Sequence, residues 1–319
     1  MGKLVQGRWV DDWYGKDTKG HFVRDETQFR DRVSADGSSG YPAETGRYHL
    51  YVSLACPWAH RTLIARELKG LQGAISLSVV HPHMGEQGWE LRDYPGSIPD
   101  EVNHARYLHE VYTRAVADYT GRVTVPVLWD KRTGRIVCND SRPILRMLSR
   151  EFSGAANTSI DLCPRELEPE IDRTIDEMYG PINNGVYRAG FASTQEAYEE
   201  AVRELFEALD ELERRLTTHR YLLGSRFTEA DICLFTTLLR FDVVYHYHFK
   251  CNLRRIADYP ALSSYLRDVF QLRGVSETCN LDHIKRHYFT SHPHINPSRI
   301  IPLGPTLDLS APHGRESLG

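Results

Sequence analysis

Cys56 is the residue whose type and setting point most directly to chemistry. A strand-like apolar run ends at Ser53, and Pro57 opens a helix-like run directly after the cysteine. A thiol beside a proline at the first helical position lies at the positive end of the helix, which favours thiolate over thiol. The sequence therefore predicts a nucleophilic cysteine at position 56. The alternative is a buried cysteine that only ends a strand.

The neighbours of Cys56 indicate how the thiol reacts. Ala59 stands where a Cys-x-x-Cys motif has its second thiol, so we expect a mixed disulfide with a partner molecule and no internal disulfide. His60, about one helical turn further on, is a candidate general base whose direction the sequence leaves open. The other cysteines lack the spacing of metal ligands, and we expect no metal site. They are Cys138, Cys163, Cys233, Cys251 and Cys279.

The elements that position Cys56 follow the order βαβ and then ββα. The predicted strands cover residues 48–52, 75–80, 124–129 and 136–139, and the predicted helices cover 57–69 and about 140–149. Parallel strands joined by a helix, followed by a hairpin and a helix, are the thioredoxin pattern. We therefore predict an α/β thioredoxin-like domain over 46–152, with a long irregular segment at 81–121 and an N-terminal extension over 1–45.

The remainder of the chain has helical patterns. Residues 153–158 read as a linker, and capping boxes are predicted at Ser193–Glu196 and Thr228–Asp231. Apolar residues recur three or four apart beyond each box, which predicts helices with one buried face. We expect an all-α C-terminal domain over 160–290 and an extended, proline-rich tail over 291–319.

The composition of the 319 residues excludes several classes of protein. A hydrophobic fraction of 41% with 26% charged residues is typical of a globular protein. A net charge of −4 argues against a nucleic-acid partner and against a basic membrane-surface protein. No apolar run approaches the roughly 20 residues that span a bilayer. The first residues lack the apolar core of a signal peptide, so we expect a cytoplasmic protein with reduced thiols.

A thioredoxin-like half followed by a helical half resembles the glutathione transferases. Cys56-Pro57 matches the catalytic position of that family, Val125-Pro126 matches its cis-proline turn, and Asp140-Ser141 matches the acid–Ser pair at the last helix of the domain. The backbone of a residue before such a proline can pair with an extended peptide, and glutathione is such a peptide. Ser141 at a helix N-terminus suits the γ-glutamyl carboxylate, and Asp140 suits the γ-glutamyl ammonium.

Longer blocks narrow the resemblance to the glutathionyl-hydroquinone reductases, the Xi class of glutathione transferases. Such blocks lie at residues 53–61, 123–130, 183–191, 240–245, 248–252, 287–292 and 295–297. One departure is Asp140, where the family commonly has glutamate; the shorter carboxylate is expected to reach glutathione through water.

The resemblance implies a reaction and the residues that perform it. With glutathione as co-substrate, Cys56 attacks the sulfur of a glutathionyl-hydroquinone, and the hydroquinone leaves. Tyr187 and Tyr288 are expected to hold the ring hydroxyls, with Tyr245 as a third candidate. Trp89 matches a residue that covers glutathione, and Arg122 matches one that faces its glycyl carboxylate. These expectations come from the family.

Other functions stay open at this point. An omega-like thiol transferase or dehydroascorbate reductase needs Cys56 and the glutathione site but not the tyrosines. A non-enzymatic scaffold on a transferase fold predicts that Cys56→Ser changes no activity. A papain-like hydrolase is excluded, because nothing in the sequence resembles its triad. The resemblance also implies a homodimer that pairs through the helical domain.

Overall fold

The computed structural model of the protein describes residues 2–318, which form two compact units. The first unit contains the described residues up to Tyr14, then Arg24–Ile160 and Glu277–Ile301. The second unit contains Gly15–Val23, Asp161–Ser276 and the described residues from Pro302 onward. Each unit therefore draws on segments from both ends of the chain.

The first unit has the predicted thioredoxin-like fold. Its elements are β1 (Lys3–Val5), β2 (Arg8–Val10), β3 (Tyr48–Val52), α1 (Pro57–Leu68), β4 (Ile75–Val79), α2 (Leu108–Ala115), β5 (Gly121–Arg122), β6 (Val127–Asp130), β7 (Arg135–Cys138) and α3 (Ser141–Arg150). The main sheet has the order β4-β3-β6-β7. Strand β4 is parallel to β3, while β6 is antiparallel to both β3 and β7. A smaller sheet has the order β2-β1-β5.

The predicted strand over 124–129 is shorter in the structure. Strand β6 begins only at Val127. The preceding residues form a turn in which the Val125–Pro126 peptide bond is cis. A proline cannot donate to a sheet ladder, so the strand begins after it. The expected cis-proline turn is therefore present, directly before the strand that pairs with β3.

The segment 81–121 is not irregular throughout, because it contains α2. The Glu110 carboxylate accepts hydrogen bonds from the backbone N–H groups of Arg106 and Tyr107, at 2.8 and 3.3 Å. These bonds satisfy donors at the helix start that otherwise have no helical partner. The residue before the helix is Tyr107, which is not a usual cap, and this explains why the sequence pattern did not reveal α2.

The second unit is all-α, as predicted. Its helices are α4 (Glu168–Met178), α5 (Gly185–Gly190), α6 (Gln195–Leu216), α7 (Glu229–Arg240), α8 (His246–His248) and α9 (Pro260–Gln271), with π-helical turns at Tyr179–Asn183 and Phe241–Tyr245 and a 3-10 turn at Ile256–Asp258. The chain then passes through a 3-10 turn, Ser276–Thr278, into α10 (Leu281–Ser291) of the first unit.

One predicted capping box is confirmed and the other is shifted. The Thr228 N–H and hydroxyl donate to the Asp231 carboxylate at the start of α7, which is the expected box. At the start of α6, however, Thr194 is the cap, and its hydroxyl oxygen accepts from the Ala197 N–H at 3.2 Å. The hydroxyl of Ser193 instead donates to the carbonyl of Gly20 at 3.2 Å, so the prediction of Ser193 as the cap was wrong.

The C-terminal residues do not change unit at the predicted boundary between residues 290 and 291. Helix α10 and the residues up to Ile301 pack with the first unit, whereas the tail from Pro302 packs with the second. Arg315 fixes that tail, because its buried guanidinium donates to the carbonyl oxygens of Leu216 and Ala261 and to the Ser264 hydroxyl. The tail is thus extended but anchored.

Buried His49 makes the stability of the protein depend on pH. Its ring nitrogens lie 2.7 and 2.9 Å from the hydroxyls of Ser76 and Ser78 on β4, and burial lowers its pKa to about 4. An unfolded histidine has a pKa of about 6.5, so between these values the unfolded state binds more protons. As the pH falls from about 6.5 to 4, the free energy of unfolding is expected to drop by about 3 kcal/mol from this residue.

Urea unfolding at pH 7 and pH 4 measures this effect. His49→Asn should reduce the pH dependence that wild type shows in this window by about 3 kcal/mol. The dependence that remains should come from four other histidines whose pKa values burial also lowers. They are His81, His83, His109 and His283. His104→Asn, at an exposed position, is the matched control and should keep the full dependence. Equal pH dependence in wild type and His49→Asn would show that His49 is not the group responsible.

Candidate active site

Cys56 lies at the N-cap of α1, at one edge of the main sheet. Its backbone is extended, Pro57 begins the helix, and the Cys56 carbonyl accepts from the His60 N–H at 3.0 Å. The side chain is half-buried, and its Sγ lies 3.7 Å from the carbonyl oxygen of Val125. The thiol therefore sits against the turn that contains Pro126, at the positive end of a helix of 12 residues.

The topology brings three predicted parts of the site to the same edge. Cys56 follows β3, and Asp140 follows β7. Both of these strands are antiparallel to β6, so they run in the same direction and end at one edge of the sheet. Val125 precedes β6, and the start of an antiparallel strand lies at that same edge. The sheet therefore places the thiol, the cis-proline turn and the start of α3 side by side.

The N-terminus of α3 has the character expected of an anion site. Asp140 is its N-cap, and the carboxylate accepts from the Arg142 N–H at 3.0 Å. Ser141 is the first helical residue and is buried. The first N–H groups of a helix have no intrahelical partner and attract carboxylates. The thiol, the backbone before Pro126 and the helix N-terminus together suit the cysteinyl sulfur, the backbone and the γ-glutamyl carboxylate of glutathione.

Trp89 and Tyr288 are joined through His287. The Trp89 and His287 rings are stacked at 4.7 Å with an angle of 23° between them, and both side chains are buried. The His287 Nδ1 lies 3.0 Å from the Pro82 carbonyl oxygen, which can only accept, so this nitrogen carries the proton. Tyr288 is buried on α10 and meets the rings of His287 and His292 edge-on. The sequence reasoning missed His287, although it directly precedes Tyr288.

Arg122 is bound by the N-terminal segment of the chain. Its Nε donates to the Asp25 carboxylate at 2.8 Å, and its terminal nitrogens donate to the carbonyl oxygens of Asp12 and Trp13 at 2.5 and 2.6 Å. The side chain is 8% exposed. These contacts give Arg122 an internal role, and its role toward the glycyl carboxylate of glutathione stays a prediction.

His60 has a partner away from the thiol. It is fully buried, and its Nε2 lies 2.8 Å from the Thr278 hydroxyl and 3.9 Å from the Cys279 sulfur. The sequence did not establish where the His60 ring points. In the structure its Nε2 points to the Thr278 hydroxyl. An imidazole held in this way supports the packing around α1, and we assign His60 no catalytic step.

Tyr187 and Tyr245 meet in the second unit. Their ring centroids are 5.9 Å apart, and each lies 5.5 Å from the Phe249 ring. Tyr187 belongs to α5, and Tyr245 ends the π-helical turn after α7, a geometry that is frequent at functional sites. Gly190 permits this cluster, because a Cβ there would lie 2.2 Å from the Phe249 ring. Two of the three predicted tyrosines are thus neighbours, and both are buried.

In the part of the chain that the structure describes, no three His, Cys, Asp or Glu side chains come together as a set that could hold a metal ion. Among residues 2–318, no helix combines the length and the apolar character needed to cross a membrane.

Comparison with known proteins defines the class of this fold and site. Residues 55–151 match the family "Glutathione S-transferase, N-terminal domain", and residues 195–268 match "Glutathione S-transferase, C-terminal domain". The protein is therefore a two-domain glutathione transferase.

Individual relatives specify the class further. The chain is 51% identical to glutathionyl-hydroquinone reductase YqjG of Escherichia coli, with 99% of each chain covered. It is 52% identical to glutathionyl-hydroquinone reductase PcpF of Sphingobium chlorophenolicum, covering 97% of this chain and 98% of that one. A solved Xi-class transferase from Natrialba magadii superposes with a TM-score of 0.95 at 51% identity, covering 100% and 97% of the two chains. The glutathione-bound structure of YqjG gives 0.92 at 49% identity, covering 99% of each. The chain belongs to the glutathionyl-hydroquinone reductases, the Xi class of the glutathione transferases.

Proposed function

We propose that this protein reduces glutathionyl-hydroquinones to hydroquinones, with glutathione as its co-substrate. The observation that carries the proposal is the position of Cys56, with its sulfur 3.7 Å from the Val125 carbonyl oxygen. A half-buried thiol at a helix start, beside a backbone that can pair with a peptide, suits attack on a glutathionyl sulfur. The similarity to YqjG and PcpF supports the hydroquinone as the rest of the substrate.

The reaction proceeds in two steps, cleavage of the carbon–sulfur bond by Cys56 and then a thiol–disulfide exchange. The Cys56 thiolate attacks the glutathionyl sulfur of the substrate, an S–S bond forms, and the carbon–sulfur bond breaks. The electron pair of that bond stays on the ring carbon, which takes up a proton and yields the free hydroquinone. A second glutathione thiolate then attacks the mixed disulfide, releases Cys56 as a thiolate and leaves as glutathione disulfide. The substrate is reduced, and the sulfur of its glutathionyl thioether and the sulfur of one glutathione thiol end as one disulfide.

The predicted tyrosines act on the hydroquinone ring. Carbon–sulfur cleavage is feasible from a keto form of the ring, because the ring carbon can then leave as a stabilised carbanion equivalent. A phenol can donate a hydrogen bond to the keto oxygen and can return a proton. We assign this role to Tyr187 and Tyr288, with Tyr245 as a third candidate.

The remaining residues bind glutathione. Val125 and Pro126 present the backbone to its cysteinyl part. Ser141 binds the γ-glutamyl carboxylate at the start of α3, and Asp140 binds the ammonium. Trp89 covers the tripeptide, and Arg122 faces its glycyl carboxylate.

Mass spectrometry after a single turnover tests this function. Wild-type protein is mixed with a glutathionyl-hydroquinone in the absence of free glutathione. The expected result is one glutathionyl group on the peptide that contains Cys56, together with one equivalent of free hydroquinone. Cys56→Ser is the control and should give neither product. The absence of both products would overturn the proposal, and if Cys56 still took up a glutathionyl group from a small glutathionyl mixed disulfide, the omega-like thiol transferase would be favoured.

We further propose a cytoplasmic homodimer. Tyr247 and Leu253 of the second unit are 71% and 67% exposed, and large apolar side chains at the surface suit a subunit interface. The glutathione-dependent step suits a reducing compartment. Light scattering during gel filtration at low micromolar concentration gives the subunit number, and cell fractionation gives the compartment; a monomer or an exported protein would contradict these points.

A further inference from the structure

Helix α10 is bound at both of its ends to the segment that contains Trp89, and both belong to the first unit. Four hydrogen-bonding contacts join the first and last turns of α10 to this segment. They are Tyr94–Asp282 and Pro95–His283 at the first turn, both at 2.8 Å, and His83–Thr290 and Met84–Ser291 at the last turn, both at 2.9 Å. The middle of the helix is therefore held in a defined position beside the segment.

His287 makes the contact in the middle of α10. Its Nδ1 donates to the Pro82 carbonyl at 3.0 Å and also lies 3.4 Å from the Ser291 hydroxyl oxygen. The N–H bond of an imidazole points along the plane of the ring. The bond to Pro82 therefore restricts rotation of the ring about its Cβ–Cγ bond, a torsion that is otherwise broad. The two faces of the His287 ring consequently have defined directions.

One face of this ring supports Trp89. The two ring centroids are 4.7 Å apart and the planes differ by 23°, which is a stacked pair. Among residues 2–318, the Trp89 indole has no other ring contact, and its N–H has no protein acceptor. The Trp89 backbone is held separately, because its carbonyl accepts from the Leu108 N–H at 2.9 Å. His287 therefore provides the flat surface that orients the indole on a fixed backbone.

His287 also contacts the next residue of α10. Its ring meets the Tyr288 ring edge-on, with centroids 5.2 Å apart and an angle of 75°. The proposed function assigns Trp89 to glutathione and Tyr288 to the hydroquinone ring. One imidazole thus contacts both side chains, and its own orientation is set by Pro82. A binding site is held precisely when the residues behind it have rotamers locked by packing and hydrogen bonds.

We propose that His287 is a positioning residue for glutathione binding, whose hydrogen-bonded imidazole holds the Trp89 indole in the orientation that covers the tripeptide. The proposal deepens the proposed function and rests on it for the contact between Trp89 and glutathione. His287 acts through Trp89 and is assigned no contact with the reacting sulfur. This role needs two properties, a flat ring for the stack and an N–H group for the bond to Pro82.

Calorimetric titration of glutathione into variants of His287 tests these two properties. His287→Asn keeps an N–H donor but has no ring, and the Kd for glutathione should rise about tenfold, the scale of one lost aromatic pair. His287→Phe keeps the ring but has no donor, and its Kd should stay within about threefold of wild type.

Two results of this titration would overturn the proposal. One is wild-type affinity in the folded asparagine variant, because the ring would then be dispensable. The other is equal weakening in His287→Phe and His287→Asn, because retention of the ring would then have no effect. Thermal melting shows whether each variant is folded, and His287→Gln, which also lacks a ring, replaces the asparagine variant if that variant does not fold.

A double-mutant cycle tests whether His287 acts through Trp89. Trp89→Leu alone should weaken glutathione binding at least as much as His287→Asn, and the double variant should bind no more weakly than Trp89→Leu. Additive losses would mean that His287 contributes by another route, which contradicts its positioning role. Wild-type affinity in Trp89→Leu would contradict it as well, because the indole would then have no part in binding.

Tyr94→Phe is the matched control, because it removes a different contact between the same helix and the same segment. The hydroxyl that donates to Asp282 is lost, while the stack of His287 on Trp89 is retained. The Kd for glutathione should stay within about twofold of wild type. A tenfold rise in this variant would show that the docking of α10 as a whole determines the affinity, and the specific role of His287 would be wrong.

Glutathione titration is separate from the single-turnover assay, because it involves neither hydroquinone nor bond cleavage. If hydroquinone is released but the His287 variants bind glutathione as wild type does, only the positioning role of His287 fails. If the His287 variants bind glutathione more weakly as expected but wild type releases no hydroquinone, only the reductase assignment fails. The two failures are therefore distinguishable.

Discussion

Cys56→Ser is expected to lower kcat for glutathionyl-hydroquinone reduction by about a thousandfold or more. The serine hydroxyl fits the site at the start of α1, but it does not ionise near neutral pH and cannot form the S–S bond that the reaction needs. The neighbouring Val125 carbonyl is retained, so glutathione should still bind. The variant thus separates binding from chemistry: glutathione affinity by calorimetry stays near the wild-type value, while hydroquinone release is lost.

Cys279→Ser is the matched control for that experiment. Cys279 is the other cysteine that is half-buried, and it belongs to the same unit, with its sulfur 3.9 Å from the His60 Nε2. Its replacement should leave kcat within about twofold of wild type. Substantial residual turnover by Cys56→Ser, or a comparable loss in Cys279→Ser, would place the nucleophile elsewhere and contradict the assignment of Cys56.

The parts of the site that the sequence predicted are those with local signals. Pro57 marks the start of α1, Val125-Pro126 marks the turn before β6, and Asp140 is an ordinary N-cap for α3. Each of these residues specifies its own backbone within a few positions, and the strand order then places all three at one edge of the sheet. A short stretch of sequence specifies each of these backbone features, whereas the expected roles of Val125-Pro126 and Asp140-Ser141 in glutathione binding came from the resemblance to the family.

The parts that the sequence did not reveal depend on contacts between distant residues. Arg122 binds Asp12 and Trp13 across 110 and 109 positions, and His287 bonds to Pro82 across 205. Neither the helical periodicity of a sequence nor a capping motif indicates a contact between residues that are so far apart in the chain. Contacts between distant residues also determine which unit each chain end belongs to. For example, Arg315 in the C-terminal tail donates to the Leu216 carbonyl across 99 positions. These features could be found only from the folded chain.

Asp140, where the resemblance led us to expect glutamate, has a local role in the structure. The Asp140 side chain is short enough to cap α3, with one carboxylate oxygen 3.0 Å from the Arg142 N–H. Aspartate is among the best N-cap residues. The residue therefore stabilises the helix start whose N–H groups are assigned to glutathione, in addition to the proposed contact with the ammonium.

Tyr187→Phe and Tyr288→Phe are expected to separate the two chemistries that share Cys56. Each change removes a hydroxyl from a buried ring and keeps the ring itself, so the aromatic packing with Phe249 or His287 is retained. Stabilisation of a keto oxygen and delivery of a proton are needed only when a carbon–sulfur bond breaks. Each variant should therefore lower kcat for hydroquinone release about a hundredfold, the usual scale for one catalytic hydrogen bond or proton donor.

Disulfide exchange provides the internal comparison for these variants. Reduction of a small glutathionyl mixed disulfide requires Cys56 but no ring proton, so both variants should keep that rate within about twofold of wild type. Tyr198→Phe removes a phenol that donates to the Lys250 carbonyl at 2.7 Å and should leave both rates unchanged. If both tyrosine variants keep both activities, the tyrosines have no part in cleavage and the omega-like thiol transferase becomes the better description. If both activities fall equally, the hydroxyls support the thiol site as a whole and their assignment to the hydroquinone ring is wrong.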